Sequence, residues 1–535
     1  MNDRPSDRAA RSAAVREDLA ANRIETAVEQ ARSLLADYRD DLRCHLLWSE
    51  ILAVQGRHAE AVTYCEALLD QWPDNPWLLA RLVSAHMANG DPGAAIALYR
   101  TRVEDSSLPN EDKNRIARNL AAANRRSPEA RDILERRLSA APDDPALLRD
   151  IASARLALGH VEEALEAFSR SATLSPLPGW AAMLHLNALI QHRRFSNLVP
   201  VADPEVLAIL KDALTRFPGD AVFVRVFSQL PMARTEWAEL YRLIRANFDS
   251  PDPNAMLRFE VAKACLQASD FADARRILEA LDPESHWGKV SRPLLTVLTT
   301  IPDATWKRTR LSDDPAAEVQ VVRTPGASMT VLVFATLTGN FMMLPIACID
   351  ALLADLPVHV IYLRDTVFGS ALTGLRSLGP DITATLTGLR RIIADLDGGE
   401  LVTVGASVSG LAAIRYGARL GAGRVVTFGA LTTVDPEFQG TPARLQRTLR
   451  WMQQQPGARE AERFGDVVTE LAQAPAMRVD LHVGGACELD LQQAHRLAGN
   501  PQIRVHREAG VDHHYVALST IARGSFSAAV AGGVA

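Results

Sequence analysis

Lysine is scarce in this chain: only five of its 58 basic residues are lysine, and no run of five or six basic residues occurs. Against 64 acidic residues the formal net charge is −6. Nucleic-acid binding depends on a basic surface, so we do not expect nucleic acid as a partner. The longest apolar stretches, 329–337 and 341–349, are each near nine residues, whereas a helix that spans a bilayer needs about 20.

Cysteines are few, and their pattern is uninformative about chemistry. All five are widely spaced, and none forms a C-x-x-C pair, so neither a disulfide framework nor a zinc site is expected. The N-terminus has no apolar segment of the kind found in secretory signals. We therefore expect a cytoplasmic protein with no membrane span, no bound metal and no organic cofactor. A length of 535 residues, 47% of them hydrophobic, predicts at least two domains.

The N-terminal half of the chain repeats. Small alanines recur with gaps of 34, 34, 35 and 34 residues on patterns typical of paired amphipathic helices. Glycine permits a tight turn between two helices, a small residue lets them approach closely, and proline ends the second helix. The alanines are Ala27, Ala61, Ala95, Ala130 and Ala164; the turn residues before them are Asn22, Gly56, Gly90, Arg125 and Gly159; the closing prolines are Pro73, Pro142 and Pro176.

This pattern resembles the tetratricopeptide repeat family, whose unit is 34 residues of helix, turn and helix. We place five units over about 8–178 and one more degenerate unit at 259–283 around Ala274, within a helical domain over 1–300. The resemblance implies a curved array that binds a protein partner or a protein carrier. The alternative is an array that packs against its own C-terminal domain or mediates self-association into a homo-oligomer.

A different pattern begins near residue 316, where short apolar segments alternate with helical ones. Such alternation predicts a mostly parallel sheet covered on both faces by helices. One doubly wound domain over 316–535 accommodates all of them. The seven predicted strands are 318–323, 329–336, 357–364, 400–405, 423–430, 477–484 and 503–509.

The segment 405–410 carries the most specific signal in this domain. A buried strand runs into Gly405-Ala406-Ser407-Val408-Ser409-Gly410, which opens an amphipathic helix. A nucleophile elbow, G-x-S-x-G, requires small residues two positions before and after its serine; here Ser409 stands at the last position. A phosphate-binding loop is the alternative, but no lysine follows the glycines and G-x-G-x-x-G is absent.

Chain order supports the elbow. A later strand, 477–484, runs into Glu488 and Asp490, and the last strand is followed by Gly510 and then by His513 and His514. This order of serine, acid and histidine resembles the α/β-hydrolase family. The fold class predicted for the whole chain is therefore an all-α tetratricopeptide-like superhelix followed by an α/β-hydrolase doubly wound domain.

The resemblance implies a role for each residue. Ser407 is the expected nucleophile and His513, which completes a Gly-x-x-His turn, the expected general base, with His514 as its alternative. Asp490 is preferred to Glu488 as the acid, because a shorter carboxylate at a helix start is better fixed in orientation. The oxyanion would bind the N–H of Val408 and an N–H from the loop at Thr336 and Leu337.

Two further features bear on the substrate. Arg364 and Asp365 end a strand at the edge where ligands bind in such folds, and they either contact a substrate or form an ion-paired loop. A helical insertion near 435–475 would act as a cap or dock on the array.

The sequence thus predicts a serine hydrolase of esterase type acting on an acyl ester. An acyltransferase using the same triad and a non-catalytic scaffold with a degenerate hydrolase domain are the alternatives.

Overall fold

The computed structural model describes residues 4–195, 202–248, 254–367, 371–397, 399–441, 446, 449–450 and 466–532. The chain divides into two compact units, Met1–His192 and Arg193–Ala535. The helices between residue 193 and the sheet therefore belong to the same unit as the sheet. Among the described residues, no helix is both long and apolar enough to cross a membrane.

Helices form the whole of the first unit, and ten of them follow one another as five pairs joined by short turns. A π-helical turn, Arg100–Glu104, follows the sixth helix. The pairs coincide with the five predicted repeat units. They are α1 Arg4–Ala20 and α2 Ile24–Asp37; α3 Leu42–Val54 and α4 His58–Leu68; α5 Pro76–Ala88 and α6 Pro92–Tyr99; α7 Asn110–Ala123 and α8 Pro128–Ala140; α9 Pro145–Ala157 and α10 Val161–Leu174, followed by α11 Gly179–Phe195.

The recurrent alanines explain how these helices pack. Each lies on the second helix of its pair and is completely or almost completely buried. A methyl group at these positions allows close approach of neighbouring helices, where a larger side chain would separate them. The periodic alanines are therefore a packing requirement of the array.

The turns inside the pairs depend on left-handed backbone conformations. Gly56, Gly90 and Gly159 have φ of 73°, 78° and 87°, and Asn22 takes their place in the first pair with φ 59°. Asparagine tolerates this region better than other non-glycine residues. Arg125 is the exception: its turn lies in the repeat that is one residue longer, and it needs no positive φ.

Seven helices open the second unit. The helix pair Ala255–Gln267 and Phe271–Glu279 contains Ala274, which is fully buried, and its turn places Ser269 at φ 62°. This pair lies where the sequence predicts a degenerate sixth unit. The seven helices are α12 Pro204–Arg216, α13 Ala221–Gln229, α14 Arg234–Asn247, α15 Ala255–Gln267, α16 Phe271–Glu279, α17 His286–Thr300 and α18 Asp303–Trp306.

A seven-stranded sheet forms the core of the rest of this unit, and each strand falls on a predicted one. The strand order is β1-β3-β2-β4-β5-β6-β7. β1 runs antiparallel to β3 and every other pairing is parallel, so the sheet is mixed. The strands are β1 Val319–Val322, β2 Met329–Phe334, β3 Val358–Leu363, β4 Glu400–Ala406, β5 Arg424–Phe428, β6 Arg478–Gly484 and β7 Ile503–Glu508.

Burial follows the sheet topology. β3 is buried along its whole length, and β2 and β4 are buried at all but their first residue, as expected for central strands covered on both faces. The edge strands β1 and β7 are only partly buried. The helices between and after the strands are α19 Ile346–Leu353, α20 Ile382–Ala394, α21 Val408–Leu420, α22 Val467–Gln473, α23 Glu488–His495, α24 Val516–Ala522 and α25 Phe526–Ala531.

We expect Ala61→Leu to lower the free energy of unfolding of the repeat unit by about 1–3 kcal/mol, because extra methylene groups in a closely packed core force neighbours apart. Urea denaturation of the full chain, followed by circular dichroism, measures this loss. Ala59→Leu, an exposed position on the same helix, is the matched control and should change stability by no more than about 0.5 kcal/mol. Equal effects of the two variants would contradict the packing role.

Candidate active site

The candidate site lies at the carboxyl ends of β2 and β4, which pair in the middle of the sheet. The strand order reverses here, because β3 lies on one side of β2 and β4 on the other. Connections that leave in opposite directions open a crevice, and ligands bind at such crevices in sheets of this kind. Residues 335–340 follow β2, and Ser407 follows β4.

Ser407 occupies a strained turn between β4 and α21. Its φ is 54° and its ψ −129°, a conformation that costs a non-glycine residue about 1–3 kcal/mol. Its N–H donates to the carbonyl of Phe428 at 3.0 Å, and its own carbonyl accepts from Gly410 at 3.0 Å and from Leu431 at 3.1 Å. Bonds to both neighbouring segments therefore hold the turn in place.

Two glycines allow this turn to close. A Cβ on Gly405 would overlap the carbonyl group of Ser409, and a Cβ on Gly410 would overlap the side chain of Ala430. The helix thus approaches the end of β4 at Gly405 and the segment after β5 at Gly410 at distances that only glycine permits. The second close approach falls on Gly410, one position later than the motif places its last glycine.

Ser409 stands where the motif has glycine, and its hydroxyl group forms hydrogen bonds within the turn. Its hydroxyl oxygen lies 2.8 Å from the carbonyl oxygen of Ala406 and 3.1 Å from that of Phe334, and it accepts the N–H of Ala406 at 3.1 Å. The residue is completely buried. A buried hydroxyl with these partners is satisfied, so the departure from the motif fits the turn and ties it to β2.

His514 and Asp490 complete a hydrogen-bonded chain with the serine. His514 Nε2 lies 2.8 Å from Ser407 Oγ, and His514 Nδ1 lies 2.6 Å from Asp490 Oδ1. The side chain of Asp490 is 0% exposed and that of His514 is 11% exposed. In this arrangement the carboxylate orients the ring, and the ring can accept the hydroxyl proton as a general base.

The prediction of His513 as the base is corrected by this geometry. The structure brings His514 to Ser407, whereas burial lowers the pKa of His513 from its ordinary value, and His513 Nδ1 has no hydrogen-bond partner in the described part of the chain. Of the two adjacent histidines, only His514 forms a hydrogen bond with Ser407 among the described residues. Glu488, the alternative acid, is exposed and accepts from Gln492 at 2.9 Å.

Close approach of the acid and histidine depends on a glycine that sequence reasoning missed. Gly429 follows β5 with φ 56°, and a Cβ there would lie 3.2 Å from His514 Nδ1 and 3.3 Å from Asp490 Oδ2. Asp490 Oδ2 also accepts the N–H of Gly484 at 3.1 Å. The sequence signal for this approach is a glycine at the carboxyl end of each of two neighbouring strands, Gly429 after β5 and Gly484 at the end of β6.

The predicted oxyanion donors differ in availability. The N–H of Thr336 is not free, because it donates to the carbonyl of Asn340 at 2.7 Å in a tight turn; this excludes Thr336 as a donor. Among the described residues, no backbone acceptor is found for the N–H of Val408 or of Leu337. Val408 is the first residue of α21, where backbone N–H groups have no partner within the helix.

Arg364 holds the loop after β2 in place. Its Nε donates to the carbonyl of Gly339 at 2.9 Å, its Nη1 to that of Asp314 at 2.6 Å and its Nη2 to the carboxylate of Asp313 at 2.8 Å. The side chain is almost fully buried. Of the two predicted roles, the structure therefore supports the ion-paired one for Arg364.

The predicted insertion at 435–475 is described only in part. Residues 442–445, 447–448 and 451–465 lie outside the described residues. Within the described part, α22 packs on α21 through Glu470, which binds Arg419 Nε at 3.0 Å and Arg419 Nη2 at 3.2 Å.

Comparison with known proteins identifies the helical repeats. Residues 12–76 and 114–177 match one family model of tetratricopeptide repeats, and 52–106 match another. These matches cover the five helix pairs of the first unit almost completely. The first unit therefore carries tetratricopeptide repeats, as the sequence predicted. No curated protein matches the chain.

Solved structures similar to this chain include two repeat proteins. The C-terminal part of a repeat-containing protein from Cytophaga hutchinsonii is 11% identical over 46% of this chain and 98% of its own, with a TM-score of 0.33. A tetratricopeptide repeat protein from Parabacteroides merdae is 14% identical over 55% of this chain and 99% of its own, with a TM-score of 0.26.

We expect Gly405→Ala to lower the free energy of unfolding of the second unit by about 1–3 kcal/mol or more, because the added methyl group cannot fit against Ser409 without moving the turn. Calorimetry of the full chain measures the change. Gly219→Ala, where nothing lies within 4 Å of the added carbon, is the control and should stay within about 0.5 kcal/mol. An unchanged Gly405→Ala variant would argue against the tight turn.

Proposed function

We propose that this protein is a serine hydrolase of esterase type, with Ser407 as nucleophile, His514 as general base and Asp490 as the acid that orients it. The observation that carries the proposal is the chain of hydrogen bonds from Ser407 Oγ through His514 to Asp490, at 2.8 Å and 2.6 Å. A strained serine at a strand-to-helix turn, with an imidazole in contact, is the arrangement of an activated nucleophile.

An α/β-hydrolase fold for the sheet region is part of the proposal. Three observations support it: a largely parallel sheet with helical connections, a serine at the turn after a central strand, and an acid and a histidine after later strands in the order of that family. The elbow alone is a weaker argument, because glycine and serine are common in turns.

The proposed reaction begins when His514 Nε2 takes the proton of Ser407 Oγ as that oxygen attacks the ester carbonyl carbon. The negative charge that develops on the carbonyl oxygen is stabilised by the N–H of Val408 and that of Leu337. The bond to the alcohol then breaks, and the alcohol leaves with the proton from His514. Water then attacks the acyl-Ser407 ester and gives a proton to His514. As the bond between the acyl carbon and Ser407 Oγ breaks, His514 returns this proton to Ser407 Oγ and the carboxylic acid is released.

The tetratricopeptide repeats of the first unit form a protein-interaction module. We infer that they recruit a protein partner or a protein carrier of the ester substrate. The repeats supply binding in this proposal, and all groups that act on the ester come from the second unit.

We expect a fluorophosphonate probe to label the purified protein and to leave the Ser407→Ala variant unlabelled, because the probe reacts only with an activated serine. Gel fluorescence and mass spectrometry of the labelled peptide measure this. Absence of label on the folded parent protein would overturn the proposal. A labelled parent that hydrolyses none of a series of short-chain p-nitrophenyl esters would instead indicate transfer of the acyl group to another acceptor.

The two adjacent histidines provide a matched pair of variants. We expect His514→Ala to lower kcat for p-nitrophenyl acetate by about 10²–10⁴-fold, the usual contribution of a general base. His513→Ala should retain most of the parent rate, since its ring does not contact Ser407. If the loss falls on His513→Ala instead, the assignment of the base is wrong.

A further inference from the structure

A cleft beside the candidate site is formed jointly by the helical segment and the sheet region of the second unit. Phe227 and Trp237 line it from α13 and α14, and Leu337, Thr338 and Asn340 line it from the loop after β2. That loop leaves the sheet beside the serine turn, because β2 pairs with β4 up to Val333 and Val404. The cleft is therefore adjacent to the proposed oxyanion donor.

Three uncharged polar side chains in this cleft have no hydrogen-bond partner within the described chain: the amides of Gln229 and Asn340 and the hydroxyl of Thr338. Each of these groups can both donate and accept. Convergent polar groups against an aromatic wall are typical of a ligand site. A ligand that satisfies all three must itself carry several groups that donate and accept.

The charged residues of the cleft already have partners. Lys263 Nζ lies 2.6 Å from the buried carboxylate of Glu260. Arg364 uses its guanidinium on Asp313 and on two carbonyl groups, as described above. The carboxylate of Asp365 accepts backbone N–H groups at 2.7 and 2.9 Å. An anionic ligand would gain no free cation here, and an alkyl chain would leave the three polar groups unpaired, at a cost that binding must offset.

We propose that the cleft binds a neutral polyhydroxylated group, a sugar or a polyol, that forms the alcohol part of the ester. This inference rests on the proposed function, and it makes the substrate an O-acyl sugar or polyol. Hydroxyl groups in series match the two amides and the hydroxyl of the cleft, since each of them donates and accepts. The helical segment α13 to α15 thus contributes to substrate specificity.

Binding is tested without catalysis in the full-length Ser407→Ala variant. Saturation-transfer NMR is recorded with neutral probes, which are glycerol and the methyl glycosides of glucose, galactose and xylose. Decanoate and glucuronate are tested separately as examples of an alkyl-chain ligand and an anionic ligand. We expect a saturation-transfer signal from at least one neutral glycoside or from glycerol. In the triple variant that also carries Gln229→Leu and Thr338→Val, this signal should be at least about tenfold weaker. Binding of decanoate or glucuronate alone, or of no probe, overturns the proposal.

Catalysis is tested with the parent protein on acetylated methyl glycosides and on p-nitrophenyl acetate. We expect Gln229→Leu/Thr338→Val to shift the ratio of the two kcat/KM values at least about tenfold against the sugar ester, mainly through KM. Gln71→Leu, an exposed position in the first unit, is the control and should leave both values unchanged. An unchanged ratio in the double variant overturns the specificity role.

The two proposals fail in different ways. If the protein hydrolyses p-nitrophenyl acetate but binds no neutral probe, the proposal of a sugar- or polyol-binding cleft is overturned and the proposal of a hydrolase stands. Binding of a glycoside by a protein that neither reacts with fluorophosphonate nor hydrolyses any ester overturns the hydrolase and leaves the cleft as a binding site.

Discussion

The left-handed conformation of Ser407 is the constraint on which the rest of the candidate site depends. At φ 54° the serine leaves the line of its strand, and the following residue, Val408, begins a helix with its N–H free. The turn closes only because Gly405 and Gly410 have no side chains to collide with their neighbours. The strain at Ser407 is offset by hydrogen bonds to α21 and to the segment at the end of β5. Functional turns persist in folded proteins because surrounding contacts of this kind hold them.

Parallel strands bring the other members of the site to this turn. The carboxyl ends of β4, β6 and β7 meet at one edge of the sheet, so residues after each of them come together although 83 and 24 positions separate Ser407, Asp490 and His514 in sequence. Gly429, after β5, has no side chain that would crowd His514 and Asp490 where they meet. The topology therefore brings the three residues close together, and the glycines allow the last close contacts between them.

Periodicity made most of the fold predictable. A spacing of about 34 residues fixed the helix pairs, and alternation of apolar segments with helices fixed all seven strands. Loops have no such period, and for this reason the sequence predicts His513 whereas His514 reaches the serine. The direction of a side chain in an irregular loop depends on backbone angles that composition does not encode. The same reason explains why the prediction of Thr336 as an oxyanion donor is wrong. Its N–H donates to the carbonyl of Asn340 in a turn that no sequence pattern predicts.

Within the second unit, the segment 310–314 joins the helices to the sheet region. A change of sequence pattern near residue 316 marks where strands begin, but residues 310–314 are already bound to the sheet region. Asp350, which is fully buried, binds Arg310 at 2.8 Å, and Arg364 binds Asp313 and the carbonyl of Asp314 while it also holds Gly339. Only a guanidinium can make these three bonds in one plane, since an ammonium group is a single point charge. One arginine therefore fixes both the joining segment and the loop beside Ser407, so the geometry of the candidate site depends on how the helices before it are attached.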